Sequence, residues 1–209
     1  MSPLTKEEIA NSVSHGLGAL LAMAAVPVLV VGAVRNGTAA DIVGASIFGG
    51  AMVLMYLAST LYHALPQGRA KKVFRVLDHS AIFLMIAGTY TPFTLGVLFG
   101  GWGWTLFGLV WGVAVAGIVL KAVAGIRFRI FSTLLYIAMG WLIVIAIKPL
   151  MASMDPAGLI WLLAGGLAYT LGTIVYAIRG VRYSHFVWHL FVLAGSACHF
   201  VAVLGYSSA

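Results

Sequence analysis

The residues able to do chemistry in this chain are mainly its histidines. In H-F-V-W-H, residues 185 to 189, two imidazoles stand four residues apart. On a helix that spacing puts both on one face, a common way to present two metal ligands. In S-T-L-Y-H, residues 59 to 63, Ser59 and His63 share a face by the same rule. A third imidazole from His63 would complete a three-histidine set with one open position. Zinc suits that set, being borderline-soft, imidazole-bound and served at catalytic sites by three protein ligands plus water. Asp78 could accept a hydrogen bond from that water, or from a ligand imidazole. Taken alone, His185 and His189 have a plainer reading, as interfacial histidines touching lipid headgroups. His63 and Asp78 are what favour the metal.

Two further histidines fall outside the set. His79 adjoins Asp78 but points about 100° away around the helix, and is read as structural. His199 lies fourteen residues beyond His185, on nearly the same face but roughly 21 Å along the axis. It cannot ligate the same ion and is read as a polar contact in the bundle. Haem would need a second helix with histidines at matching spacing, and none is present in the sequence.

These residues must be positioned by a chain that is almost wholly apolar. Of 209 residues, 8% are charged and 62% hydrophobic, and the mean hydropathy is +1.07. A soluble domain carries roughly 25% charged residues, so a soluble globular fold is excluded, as is disorder. The net charge of +7 comes from twelve basic residues, too dispersed for a nucleic-acid partner. The single cysteine, Cys198, excludes an internal disulfide or a multi-cysteine metal site.

Crossing a bilayer as helix takes roughly 20 apolar residues. Seven such stretches are predicted, at about 13–34, 42–65, 73–95, 104–124, 131–150, 158–178 and 185–206. The fold class is therefore all-α: a polytopic membrane protein, one seven-transmembrane helix bundle over residues 1–209, with sequential helices antiparallel. Lys6 ahead of an apolar run, with Ala22-Met23-Ala24 beyond, has the outline of a signal peptide. Glu7 and Glu8 spoil the basic leader, and the run continues to Val34, so an uncleaved first helix is expected. Small residues such as those of G-L-V-W-G, residues 108 to 112, are expected to let helices approach. Pro27 and Pro92 are expected to bend theirs. The eight methionines are scattered and read as core.

Lys and Arg are retained on the cytoplasmic side. Lys6 precedes the first helix. Arg69, Lys71, Lys72 and Arg75 fall between the second and third, Lys121, Arg127 and Arg129 between the fourth and fifth, Arg179 and Arg182 between the sixth and seventh. Only Arg35 and Lys148 face the other way. The N-terminus is thus expected to be cytoplasmic and the C-terminus outside, in the inner cell membrane, with Trp102 and Trp104 in an outer interfacial belt. That orientation brings His15 (first turn of the first helix), His63, Asp78 with His79, and His185 with His189 to one depth under the cytoplasmic leaflet. Ionisable groups in membrane segments are costly and mark function by default. Glu7, Glu8, Asp41 and Asp155 are placed at ends or in loops.

The chain resembles the haemolysin III family, the bacterial branch of the progestin and adipoQ receptor superfamily, related to alkaline ceramidases. The resemblance runs through E-I-A-N-S-V-S-H (Glu8, Asn11, His15), S-T-L-Y-H (Ser59, His63), L-D-H-S with G-T-Y-T-P (Asp78, Ser80, Gly88, Pro92) and S-H-F-V-W-H (His185, His189). It implies a zinc ion on His63, His185 and His189, with Asp78 as partner of the bound water and Ser59 in the same pocket. Glu8, Asn11, His15 and Ser80 are carried along as supporting polar residues.

Two functions remain open from sequence. One is a zinc-dependent lipid hydrolase, with Asp78 as general base and Ser59 donating to the developing oxyanion. Its substrate would be an acyl amide or ester of a membrane lipid. The other is a non-catalytic regulator or sensor of lipid composition or fluidity, in which zinc clamps helices together. Pore-forming cytolysis would need amphipathic surface that the chain lacks.

Overall fold

In lipid an apolar run must pair its amides and carbonyls within itself, and the chain does so as helix throughout. The computed structural model describes residues 6–178 and 182–208. Arg179, one of the basic residues behind the expected orientation, lies outside the described residues. The helices are α1 (Lys6–Asn36), α2 (Ala39–Ala64), α3 (Arg69–Leu95), α4 (Gly101–Ala124), α5 (Arg129–Gly140), α6 (Ile147–Ser153), α7 (Pro156–Ala177) and α8 (Ser184–Tyr206). Among the described residues, seven spans are long and apolar enough to cross a membrane, with Arg129–Ser153 counted as one.

Each helix packs on the next from α1 to α4. Then α7 packs on α8, and α8 returns to α1. The fifth span touches α3, α4 and α7 and closes the ring. The main apolar centre lies where α1, α2, α3 and α8 meet, around Leu29, Phe48, Met52, Tyr56, Met85 and Val192. A second, with Phe83, Val110 and Met139, lies between α3, α4 and α5. Leu20, Val123, Ile130 and Ile160 are exposed, and their apolar faces suit lipid.

Local rules set the ends. Thr38 caps α2 in a reciprocal box: its side chain accepts from the Asp41 amide, and its amide donates to Asp41 Oδ2 at 2.7 Å. Asp155 caps α7 ahead of Pro156. Two of the five acidic residues are thus structural caps.

The structure departs from the sequence reading in three places. First, helices overrun the apolar cores. With α1 starting at Lys6, His15 sits in the third turn, not the first, and Glu8 and Asn11 are helical. With α3 starting at Arg69, Lys71 and Arg75 are helical and Asp78 is deeper than expected. Hydropathy registers the hydrocarbon core alone, while the backbone stays helical into the headgroup zone, where long side chains can snorkel.

Second, the fifth span is not continuous. A 3₁₀ turn, Leu142–Ala146, separates α5 from α6. Pro149 has no N–H, and its ring would strike the carbonyl of Ile145 in a continuous helix. Tyr90 of α3 stitches the break: its hydroxyl donates to the Gly140 carbonyl at 2.8 Å and accepts from the Ile143 amide at 2.9 Å. Pro27 and Pro92 stay inside unbroken helices.

Third, the G-L-V-W-G glycines do not mediate helix packing, since a Cβ at Gly108 or Gly112 would meet nothing within 4 Å. The close approach is between α2 and α3 instead. A Cβ at Gly44 would come within 2.7 Å of the Pro92 Cα, and one at Gly88 within 2.6 Å of the Ala51 Cβ.

Candidate metal centre

Antiparallel alternation brings the end of α2 and the start of α8 to the same face of the bundle. His63 lies in the last turn of α2, and His185 and His189 in the first turns of α8. The chain enters α8 through Tyr183, whose φ of 61° is left-handed, a conformation costing a non-glycine residue roughly 1–2 kcal/mol. The three imidazoles offer ligand atoms that all lie within 4.8 Å of one another. Their rings meet edge to face, His63 to His185 and His185 to His189 at 4.8 Å between centroids, and His63 to His189 at 5.0 Å. This group could hold a metal ion.

Hydrogen bonds at the far side of two rings decide which nitrogen is free. His63 Nδ1 donates to Glu8 Oε2 at 3.0 Å, while its Nε2 is buried without a hydrogen-bond partner. His189 Nδ1 lies 3.2 Å from the Asn11 carbonyl, which can only accept, so this nitrogen carries the proton. Ser14 Oγ is 3.2 Å from the same nitrogen and donates to the same carbonyl. Each ring is left with Nε2 as its lone-pair atom. An orphaned imidazole nitrogen whose opposite N–H is held by carboxylate or carbonyl is the arrangement of metal-ligating histidines. The residues therefore fit a metal.

The other expected site residues take distinct places. Glu8 bridges His63 and Lys71, whose Nζ donates to Glu8 Oε2 at 2.9 Å. Asn11 contributes its carbonyl, with its own side-chain oxygen buried and without a hydrogen-bond partner. His15 stacks flat on His189, with centroids 3.5 Å apart and planes at 8°, and meets Tyr56 edge-on at 5.0 Å. It is not one of the grouped ligands, and it holds the His189 ring from one face. Asp78 is buried, and the Ser59 hydroxyl approaches its carboxyl. A cavity of about 50 Å³ is lined by Asp78 and His185 together with Tyr176 and Trp188. His63 and His189 do not line it. Among the described residues, Ser80 makes no hydrogen bond to the cluster. His79 Nδ1 donates to the Arg75 carbonyl at 2.8 Å.

Sequence reasoning missed Ser14 and Lys71. Ser14 was legible in principle, because Asn11 and Ser14 are three apart and share a face of α1. The sequence reading puts Lys71 between the second and third helices. It is buried, and it also donates to the carbonyls of Tyr62 and Leu65 at 3.0 and 3.1 Å, closing the C-terminal end of α2.

A family profile described as Haemolysin-III related matches residues 4–200. The chain is 47% identical over 206 residues to Hemolysin-3 of Bacillus cereus, covering 99% of this chain and 94% of that one. It is 48% identical over 201 residues to a Hemolysin-3 homolog of Bacillus subtilis (strain 168), covering 96% and 94%. The monocyte to macrophage differentiation factor of Homo sapiens is 26% identical over 217 residues, covering 98% and 86%.

Proposed function

Because the chain belongs to the haemolysin-III related family and carries this histidine cluster, we propose that it is a zinc-binding integral membrane protein whose centre hydrolyses an acyl amide or ester of a membrane lipid. The observation that carries this reading is the cavity shared by Asp78 and His185. A purely structural zinc site is closed by four protein ligands, whereas a catalytic one keeps a position open beside its three. Here three imidazoles gather and a cavity with a carboxylate adjoins one of them.

His63, His185 and His189 would hold the metal, which when bound polarises a carbonyl and acidifies water. Asp78 would take the proton from the attacking water. Ser59 would donate to the oxygen on which charge develops, turning from the Asp78 carboxyl that it approaches at rest. His15, Glu8 and the Asn11 carbonyl would hold the rings still. The alternative reading, a regulator of membrane lipid with a structural zinc, draws on Glu8, His63 and His189, which tie α1, α2 and α8 together. The name of the Bacillus cereus relative suggests lysis. The exposed apolar residues running along the described spans suit an integral protein better than a secreted toxin. The basic residues favour a cytoplasmic N-terminus in the inner cell membrane.

The test is release of fatty acid from a panel of ceramides and acyl esters in bilayers. Zinc should be bound at about one per chain. Asp78→Asn should retain the metal and lower turnover by roughly 10² to 10⁴. Chelator-sensitive stability with no hydrolysis across the panel would establish the structural clamp instead. A reporter fused at Gly68 should read as cytoplasmic, and an external reading would reverse the orientation.

A further inference from the structure

Two lysines are buried in this bundle, and they differ. Lys71 is surrounded by acceptors: a carboxylate and two carbonyls. Lys121, in the last turn of α4, is 1% exposed, yet among the described residues no hydrogen bond or ion pair engages its ammonium. A lysine at a helix C-terminus ordinarily bonds the last carbonyls or snorkels outward. This one instead lines the cavity that holds Asp78 and His185. An ammonium carried on a buried side chain and engaged by no hydrogen bond or ion pair is costly, so its retention calls for a partner.

The rest of the cavity wall indicates what that partner is. Arg129, which opens α5, also lines it and lies with its guanidinium 4.6 Å from the Tyr176 ring centroid. Neutral donors line it too, Tyr176 and Trp188 among them, but three of the hydroxyls have their protons committed. Ser132 donates to the Phe128 carbonyl at 2.8 Å, Thr133 to that of Arg129 at 3.0 Å, and Tyr136 to that of His79 at 2.7 Å. The two cations are the charged donors available to an anion. They face one carboxylate, Asp78, so one further negative charge balances the site. The cavity is small, about 50 Å³, which suits a compact polar group. Lys121 ends α4, Arg129 opens α5 and His185 opens α8, so the cavity lies at helix ends. A phosphodiester is a monoanion with two free oxygens, one for each cation, and is abundant in membrane lipid headgroups.

We propose that Lys121 and Arg129 form a subsite for the phosphodiester headgroup of a membrane lipid, beside the histidine cluster. This names the substrate class of the hydrolase proposed above and rests on that reading for its place in turnover. Binding is measured apart from it, on metal-free protein in dodecyl maltoside micelles, by native mass spectrometry and thermal unfolding. Dioleoyl phosphatidylglycerol should bind and raise the unfolding temperature. Lys121→Met should weaken that binding about tenfold or more, and Lys121→Arg should largely keep it. Without lipid, Lys121→Met should be at least as stable as the parent, because an unpaired buried charge is gone. Should Lys121→Met fail to fold, Arg129→Met, at an exposed position, carries the same comparison. Equal phosphatidylglycerol binding by parent and variants would overturn the subsite. Equal binding of dioleoylglycerol or oleate would overturn the phosphodiester, and full stabilisation by inorganic phosphate alone would overturn the lipid. Absence of hydrolysis would leave the binding result standing, and hydrolysis of neutral lipids by Lys121→Met would leave the hydrolase standing without this subsite.

Discussion

Helix α8 carries histidines in two settings, and they make a controlled comparison. At its N-terminal end, His185 and His189 meet His63, and the far nitrogens of His63 and His189 are anchored by Glu8 and the Asn11 carbonyl. Further along, His199 is buried too but meets no second imidazole. It stacks on Tyr169 at 5.4 Å, with Nδ1 lacking a hydrogen-bond partner. Its neighbours are hydroxyls that satisfy one another: Tyr56 donates to Ser196 at 2.8 Å, and Tyr169 lies 3.0 Å from Ser196. Gly165 makes the room, since a Cβ there would come within 2.6 Å of His199 Nε2. Imidazole chemistry is common to both settings. What separates them is convergence of free ring nitrogens whose opposite nitrogens are held. The two communicate sterically, because Tyr56 also meets His15, which stacks on His189.

The strongest way to break this contrast is to remove one histidine from each side. His63→Ala should abolish stoichiometric metal in the purified protein, measured by elemental analysis, while His199→Ala should keep it. Equal loss from both would mean that convergence is not what makes the site.

A finer change tests the anchoring. Glu8→Gln preserves size and an acceptor but removes the charge behind His63. Metal affinity, measured by competition with a chromophoric chelator, should fall by roughly 10- to 100-fold. Unaltered affinity would show that the Glu8 contact does not orient the ring.

The smallest effect belongs to the second setting. Ser196→Ala leaves the Tyr169 hydroxyl without its partner and Tyr56 with only a 3.4 Å contact to the Val192 carbonyl, and should cost about 1 kcal/mol of stability, with metal content unchanged. Metal loss would mean that the hydroxyl network supports the centre through Tyr56 and His15.

The seven spans were legible because hydropathy is a local quantity and lipid leaves helix as the one economical local answer. The break in the fifth was less so. Pro149 signals it, but Pro27 and Pro92 send the same signal and stay within continuous helices. The difference lies in Tyr90, which reaches from another helix to both loosened backbone groups. The glycines misled for a related reason. G-L-V-W-G has the spacing of a packing face, yet the azimuth of α4 points it outward, and Gly44 and Gly88, without such a motif, are where α2 and α3 close up.

By itself the sequence determined an all-helical membrane bundle with seven spans, and it determined which histidines could share a depth. Composition, helical period and alternation of direction suffice for that, since each depends only on neighbours along the chain. The tertiary structure decided which nitrogen of His63 and of His189 is free, that Lys71 reaches Glu8 while Lys121 faces a cavity, and that His15 stacks on His189 without joining the grouped ligands. Those outcomes depend on the rotation of each helix about its axis and on side chains that meet across more than a hundred residues, as His189 meets Asn11. Such contacts follow from packing the whole bundle at once, and no local spacing specifies them.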